Sequence, residues 1–170
     1  MCNGLYNSQA TMIELFDHTA DLGLRVTAST LEELFAEAGQ GLLSILVVNP
    51  QDVQPVLSRQ IELAADDLGW LLFDWLSELL FAFDTEKLLL RQFEIELCGG
   101  SAQVAVGGTT DAAAQERRPT APWQLRALCR GEVCDPRRHA MDHEVKAITY
   151  HGLRVERTEQ GWLAEVIVDI

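Results

Sequence analysis

Three groups of residues have types and spacings that could do chemistry. Asp17, His18 and Asp21 fall within five residues, between two predicted strands. Two carboxylates and an imidazole this close suit a metal or acid/base site. The same segment also suits a turn in which Asp and Thr side chains bond local backbone. At the other end the chain reads Val168-Asp169-Ile170, which sets a side-chain carboxylate one residue from a terminal one. Terminal acids taken alone are usually solvated and idle. Lys146 opens the apolar run Ala147-Ile148-Thr149-Tyr150, although a lone lysine at a strand start is more often a surface residue.

Other constellations point to less. His139 and His143 have i, i+4 spacing, but Ala140-Met141-Asp142 between them lies in a predicted loop, which argues against a zinc site. Cys2, Cys98, Cys129 and Cys134 form no C-x-x-C pair, as expected of reduced cysteines in a cytosolic protein. No nucleophile elbow or zinc-protease helix is present, and Gly99-Gly100 and Gly107-Gly108 lack the strand-loop-helix context of a phosphate-binding loop.

Composition narrows the partners. With 26 acidic against 13 basic residues the formal charge is −13. Such a surface repels phosphate backbones, because non-specific nucleic-acid affinity comes from Lys and Arg displacing counterions. Direct RNA or DNA binding is therefore not expected, whereas cations and basic protein surfaces are attracted. The 48% hydrophobic and 23% charged content is that of a globular domain, so extensive disorder is not expected. Residues 1–12 have neither a basic n-region nor an apolar h-region, so no secretory leader is expected and the location reads as cytoplasmic. No apolar run reaches the roughly 20 residues of a membrane span. The longest, residues 68–83, is broken by Asp74, Ser77 and Glu78.

The elements that must position these residues follow from periodicity. Residues 1–11 read as a polar extension ahead of one domain, 12–170. A short strand is expected at 12–16, then a polar break over 17–21. Leu22, Leu24 and Val26 alternate with polar or small residues as a half-buried strand. Ser29-x-x-Glu32 has the form of a capping box, and Leu31, Leu34, Phe35, Ala38, Leu42, Ile45 and Leu46 keep helical spacing until Asn49-Pro50. A strand at 56–63 precedes a second helix, which begins after Asp66-Asp67 and runs to about residue 83. That helix is apolar around most of its girth, as a central core helix would be. Strands are expected at 88–97, 123–133, 145–150, 153–157 and 162–168. Residues 99–122 are small, glycine-rich and poor in large apolar side chains, and read as a long, mobile hairpin connection. Early helices and late strands predict an α+β fold, with two helices on one face of a largely antiparallel sheet.

Asp17-His18-Thr19-Ala20-Asp21 followed by Ser29-Thr30-Leu31-Glu32-Glu33-Leu34-Phe35 resembles the amino-terminal signature of the archease family. Glu144-Val145-Lys146-Ala147-Ile148-Thr149-Tyr150-His151 and the closing Val168-Asp169-Ile170 resemble its later motifs. The resemblance spans roughly residues 12–97 and 123–170. It implies a non-enzymatic partner of an RtcB-type RNA ligase, one that promotes the ligase's guanylylation and multiple turnover in tRNA splicing and RNA repair. It also implies a metal site at Asp21, Asp169 and Ile170, and a functional role for Lys146. The extension and the 99–122 insertion depart from the family pattern and bear on docking more than on the metal.

Three carboxylates converging within about 5 Å would repel one another by about 3 kcal/mol per pair at an effective dielectric near 20. A divalent cation would relieve that repulsion, and all-oxygen ligation suits calcium, magnesium or manganese. Lys146 could partly neutralise the cluster without metal, or contact an acidic or phosphate group of the ligase complex. A metal-dependent hydrolase using Asp21 and Asp169 is one alternative, but it would need an enclosed pocket and a second catalytic group that the spacing does not offer. A chaperone-like binding module with an exposed apolar patch is the other.

Overall fold

The computed structural model describes residues 11–18, 21–100 and 121–170, with His18 described by its backbone alone. Strand β1 (Met12–His18) pairs antiparallel with β2 (Asp21–Ala28), so Asp17, His18 and Asp21 belong to strands and not to a five-residue break. In β2, Leu24, Val26 and Ala28 are buried on one face while Arg25 and Thr27 stand on the other. Helix α1 (Leu31–Leu46) starts from Thr30, one residue later than the Ser29 box expected from sequence. Thr30 Oγ1 accepts from the Glu33 amide at 3.2 Å, and the Glu33 carboxylate accepts from the Thr30 and Ser29 amides.

Helix α1 ends three residues before Asn49, because its last turn is needed elsewhere. Val47 adopts extended backbone and bridges Met141, while the amides of Asp142 and His143 donate to the carbonyls of Leu46 and Ile45. Those carbonyls would otherwise lack partners at the helix end. A short 3-10 turn, Pro50–Asp52, leads to β3 (Leu57–Ala65). Helix α2 (Leu68–Glu86) is capped by Asp67, whose carboxylate accepts from the Trp70 amide at 2.8 Å. It buries Leu71, Leu72, Trp75, Leu76, Leu79, Leu80 and Ala82 but leaves Trp70 and Phe81 exposed, so its solvent side is not covered as a fully central helix would be.

Strands β4 (Leu88–Cys98) and β5 (Trp123–Val133) follow; the expected 99–122 connection lies between them, and residues 101–120 of it are outside the described residues. The expected strands at 145–150 and 153–157 form one strand, β6 (Ala147–Thr158), which pairs with β7 (Gly161–Asp169). Thr149 faces Ile167 and Arg154 faces Glu165, so β6 bulges between them, with Gly152 at φ 76°. Glycine takes that left-handed backbone without a Cβ clash.

The class is α+β with antiparallel pairing throughout the described strands, as expected, but the strands divide between two sheets. One has the order β1-β2-β7-β6 and the other β3-β5-β4. The helices fill the space between them. On α1, Gly41 sits against Leu24 of β2 and Gly39 against Phe93 of β4. Trp75 of α2 meets Phe93 edge-on at 5.5 Å, and its indole nitrogen donates to the Phe35 carbonyl at 2.9 Å. A helix pair apolar on two sides requires a sheet on each, and this arrangement provides them. No helix of the described residues is long and apolar enough to cross a membrane.

Candidate functional site

The sheet register decides where the candidate residues go. Leu22 of β2 pairs with Val168 of β7, so Asp21 and Asp169 lie one step further along neighbouring strands. Alternation puts both on the face away from the core, in line with Gly23 and Ile167 and then Arg25 and Glu165. His18 stands opposite Asp21 in the β1–β2 register, and Ala147 opposite Asp169 on the other flank. Four strands thus bring motifs from both halves of the chain to one end of one sheet.

Lys146 completes that end. Its amide donates to the Asp169 carbonyl at 2.8 Å, its ammonium donates to the Ile170 main-chain oxygen at 2.9 Å, and the ammonium lies 3.9 Å from the Asp169 carboxylate. Lys146, Asp169 and Ile170 are therefore in direct contact, whereas Asp21 is placed beside them by register. The side chains of Lys146 and Asp169 are 61% and 46% exposed, so the ion pair is solvated and adds little to stability.

Among the described residues, no three His, Cys, Asp or Glu side chains gather closely enough to hold a metal by themselves. A cation here would need main-chain oxygen from Ile170 besides the carboxylates of Asp21 and Asp169. That donor set is hard and all-oxygen, and it fits calcium, magnesium or manganese rather than zinc. The Lys146 ammonium already uses the Ile170 oxygen. Ammonium and metal would compete for it.

The histidine pair does not form a site. His139 is buried, its Nδ1 accepting from the Asp135 amide at 2.9 Å and its Nε2 3.2 Å from the Glu132 carboxylate, so both ring nitrogens are engaged. The His143 amide is tied to the end of α1. Cys98, Cys129 and Cys134 are free thiols, and burial pushes the Cys129 thiol up to about 12.

The sequence reading missed the cluster around Glu132. This carboxylate lies on the outer face of β5 but is buried by the folded 135–139 segment. It accepts two bonds from Arg138, at 2.7 and 3.0 Å, and one from the Gln54 amide at 2.6 Å. The Arg138 bonds hold its pKa down at about 2, with help from the Gln54 amide and against the opposing effect of burial. Arg138 also reaches the Asp52 carbonyl, while the Asn49 side chain bonds the Arg138 carbonyl and the Ala140 amide. The signal was the Arg137-Arg138 pair just beyond a strand glutamate, in a chain short of cations. Nothing in the spacing gave the direction in which the loop folds.

Fold and site together define a small α+β protein in which neighbouring strands β2 and β7 end in an oxygen-rich patch. The model of the Archease protein family (MTH1598/TM1083) matches residues 13–170. Protein archease of Methanopyrus kandleri is 36% identical over 157 residues, 92% of this chain and 98% of that protein. Protein archease of Thermococcus kodakarensis is 35% identical over 158 residues, covering 92% and 97%. The solution structure of protein 1598 of Methanobacterium thermoautotrophicum superposes with a TM-score of 0.72 at 28% identity, covering 93% of this chain and 98% of that one. The chain belongs to the archease family.

Proposed function

We propose that this protein is a metal-binding accessory factor of an RtcB-type RNA ligase, promoting guanylylation and multiple turnover in tRNA splicing and RNA repair, and that it is not itself the enzyme. Family membership supports an accessory role. The observation that carries the finer reading is the register that gathers Asp21, Asp169, Ile170 and Lys146 at one sheet end.

In this reading Asp21, Asp169 and the Ile170 carboxylate hold a divalent cation. When bound, that cation would supply concentrated positive charge for an acidic or phosphate-bearing group of the ligase complex. The remaining work belongs to the chain. Pairing within the sheet fixes the backbone of Asp21 and Asp169, so little conformational freedom is lost when a ligand is engaged. Lys146 balances the carboxylates while the cation is absent and gives up the Ile170 oxygen when it binds. With its net charge of −13 the protein as a whole repels RNA, which favours action through the ligase.

A guanylylation and turnover assay of the cognate ligase tests the reading. Substoichiometric amounts of this protein are expected to raise both the guanylylated intermediate and the turnover number. An unchanged rate at every ratio rejects the proposal.

A further inference from the structure

Helix α2 carries a line of residues that neither the core nor the sheet end uses. Positions 70, 74, 77, 81 and 84 recur at helical spacing and lie opposite the buried arc of Leu72, Trp75, Leu76 and Leu79. On this wet side Trp70 is 44% exposed and Phe81 55% exposed, three turns or about 16 Å apart at the usual helical rise. Between and beyond them stand Asp74, Ser77 and the exposed Asp84, and α2 contains no Lys, Arg or His.

The upper end of the line is preorganised. Tyr150, within the irregular stretch of β6 and 38% exposed, stacks on Trp70 with centroids 3.9 Å apart and planes 13° from parallel. Phe73 meets both rings edge-on, at 5.7 and 5.9 Å. The exposed Asp66 and Asp67 lie just ahead of the helix. Trp70 leaves nearly half and Phe81 more than half of its surface in water, and two such rings in line with carboxylates on one helix face suit a ligand that is both flat and cationic. The chemistry that fits them is a guanidinium, which stacks on a ring face and donates to a nearby carboxylate at once. A phosphate-bearing ligand would meet Asp74 and Asp84 on this line, while the nearby Arg59 is already tied to Glu78 and Glu86.

We propose that the α2 face formed by Tyr150, Trp70, Asp74, Phe81 and Asp84 docks an arginine-bearing segment of a partner protein. The partner is taken to be the RNA ligase, so the inference rests on the preceding reading. Tyr150 follows Lys146 by four residues, at most about 14 Å of chain, so the Trp70 end of this face lies near the sheet end.

The test is titration of the purified cognate ligase with the full chain, as wild type, Phe81→Ser, Trp70→Arg, and the pair Asp74→Asn with Asp84→Asn. Phe81→Ser and Trp70→Arg are each expected to raise Kd about tenfold or more, as loss of an aromatic hot spot does. Activation at saturating concentration should be retained, because the sheet end is untouched. The Asp pair should weaken the salt dependence of binding. Phe81 points to solvent, so its variant reports even where Trp70→Arg perturbs the stack with Tyr150. Phe81→Ser and the Asp pair binding with wild-type Kd and salt dependence would overturn the docking surface and leave the activator reading standing. Wild-type protein that neither binds nor activates the ligase would remove the reading beneath it.

Discussion

Replacing Glu132 by Gln removes a carboxylate that the structure holds far below its ordinary range. The shift from 4.5 to about 2 corresponds to about 3 kcal/mol of stabilisation at 1.36 kcal/mol per unit. The sign follows from the direction. A depressed carboxylate stabilises the native state fully above its unfolded pKa, and the contribution drains away as pH falls through 4.5 towards 2. Wild type should therefore be about 3 kcal/mol more stable than Glu132→Gln at pH 7, or roughly 6–12 °C in Tm for a domain of this size. The gap should close on acidification. Urea titrations of both proteins at intervals from pH 7 to pH 2 measure it directly. Parallel stability curves across that range would refute the reasoning, because they would show that the Arg138 and Gln54 bonds do not discriminate between carboxylate and amide.

Cation binding at the sheet end should raise the wild-type Tm, with a stabilisation of about 2.7 kcal/mol at a hundredfold excess over Kd. Asp21→Ala, Asp169→Ala and a form carrying one glycine after Ile170 should each lose most of that rise; equal shifts in wild type and the extended form would withdraw Ile170 as a ligand. Deleting residues 101–120 should preserve a cooperative thermal transition, because Cys98 and Gln124 already face each other across β4 and β5. A broad, non-cooperative melt of the deletion variant would count against it.

Local pattern carried much of the fold. The alternation of Leu22, Leu24 and Val26 placed β2, and the apolar spacing from Leu31 to Leu46 placed α1, because burial on one side of an element writes its own period. Errors arose where distant chain supplied a partner. Val47 leaves the helical path because Met141 pairs with it, and Thr149 and Arg154 share a strand only because β7 runs beside both. The Glu132 cluster was hidden for the same reason, since its partners Gln54 and Arg138 belong to different loops. At the candidate site, the resemblance to the archease motifs named Asp21, Asp169, Ile170 and Lys146. Their adjacency became visible only with the Leu22–Val168 register, a pairing that no local window contains.

That central pairing also governs how the protein is made. Strand β2 is complete within the first thirty residues, yet its second edge is covered by β7, to which Arg25 is tied across 140 positions of sequence. During synthesis the β1–β2 hairpin and α1 can assemble early, with Leu24 against Gly41, while the second edge of β2 waits for the strand carrying Ala164, Val166 and Val168. Closing so long a loop carries an entropic cost before any contact repays it, which slows folding relative to helical proteins of this length. A nascent chain stalled before β7 presents an unpaired strand edge and an open apolar face, the combination that templates aggregation. Such a fragment would also hold Asp21 without Asp169.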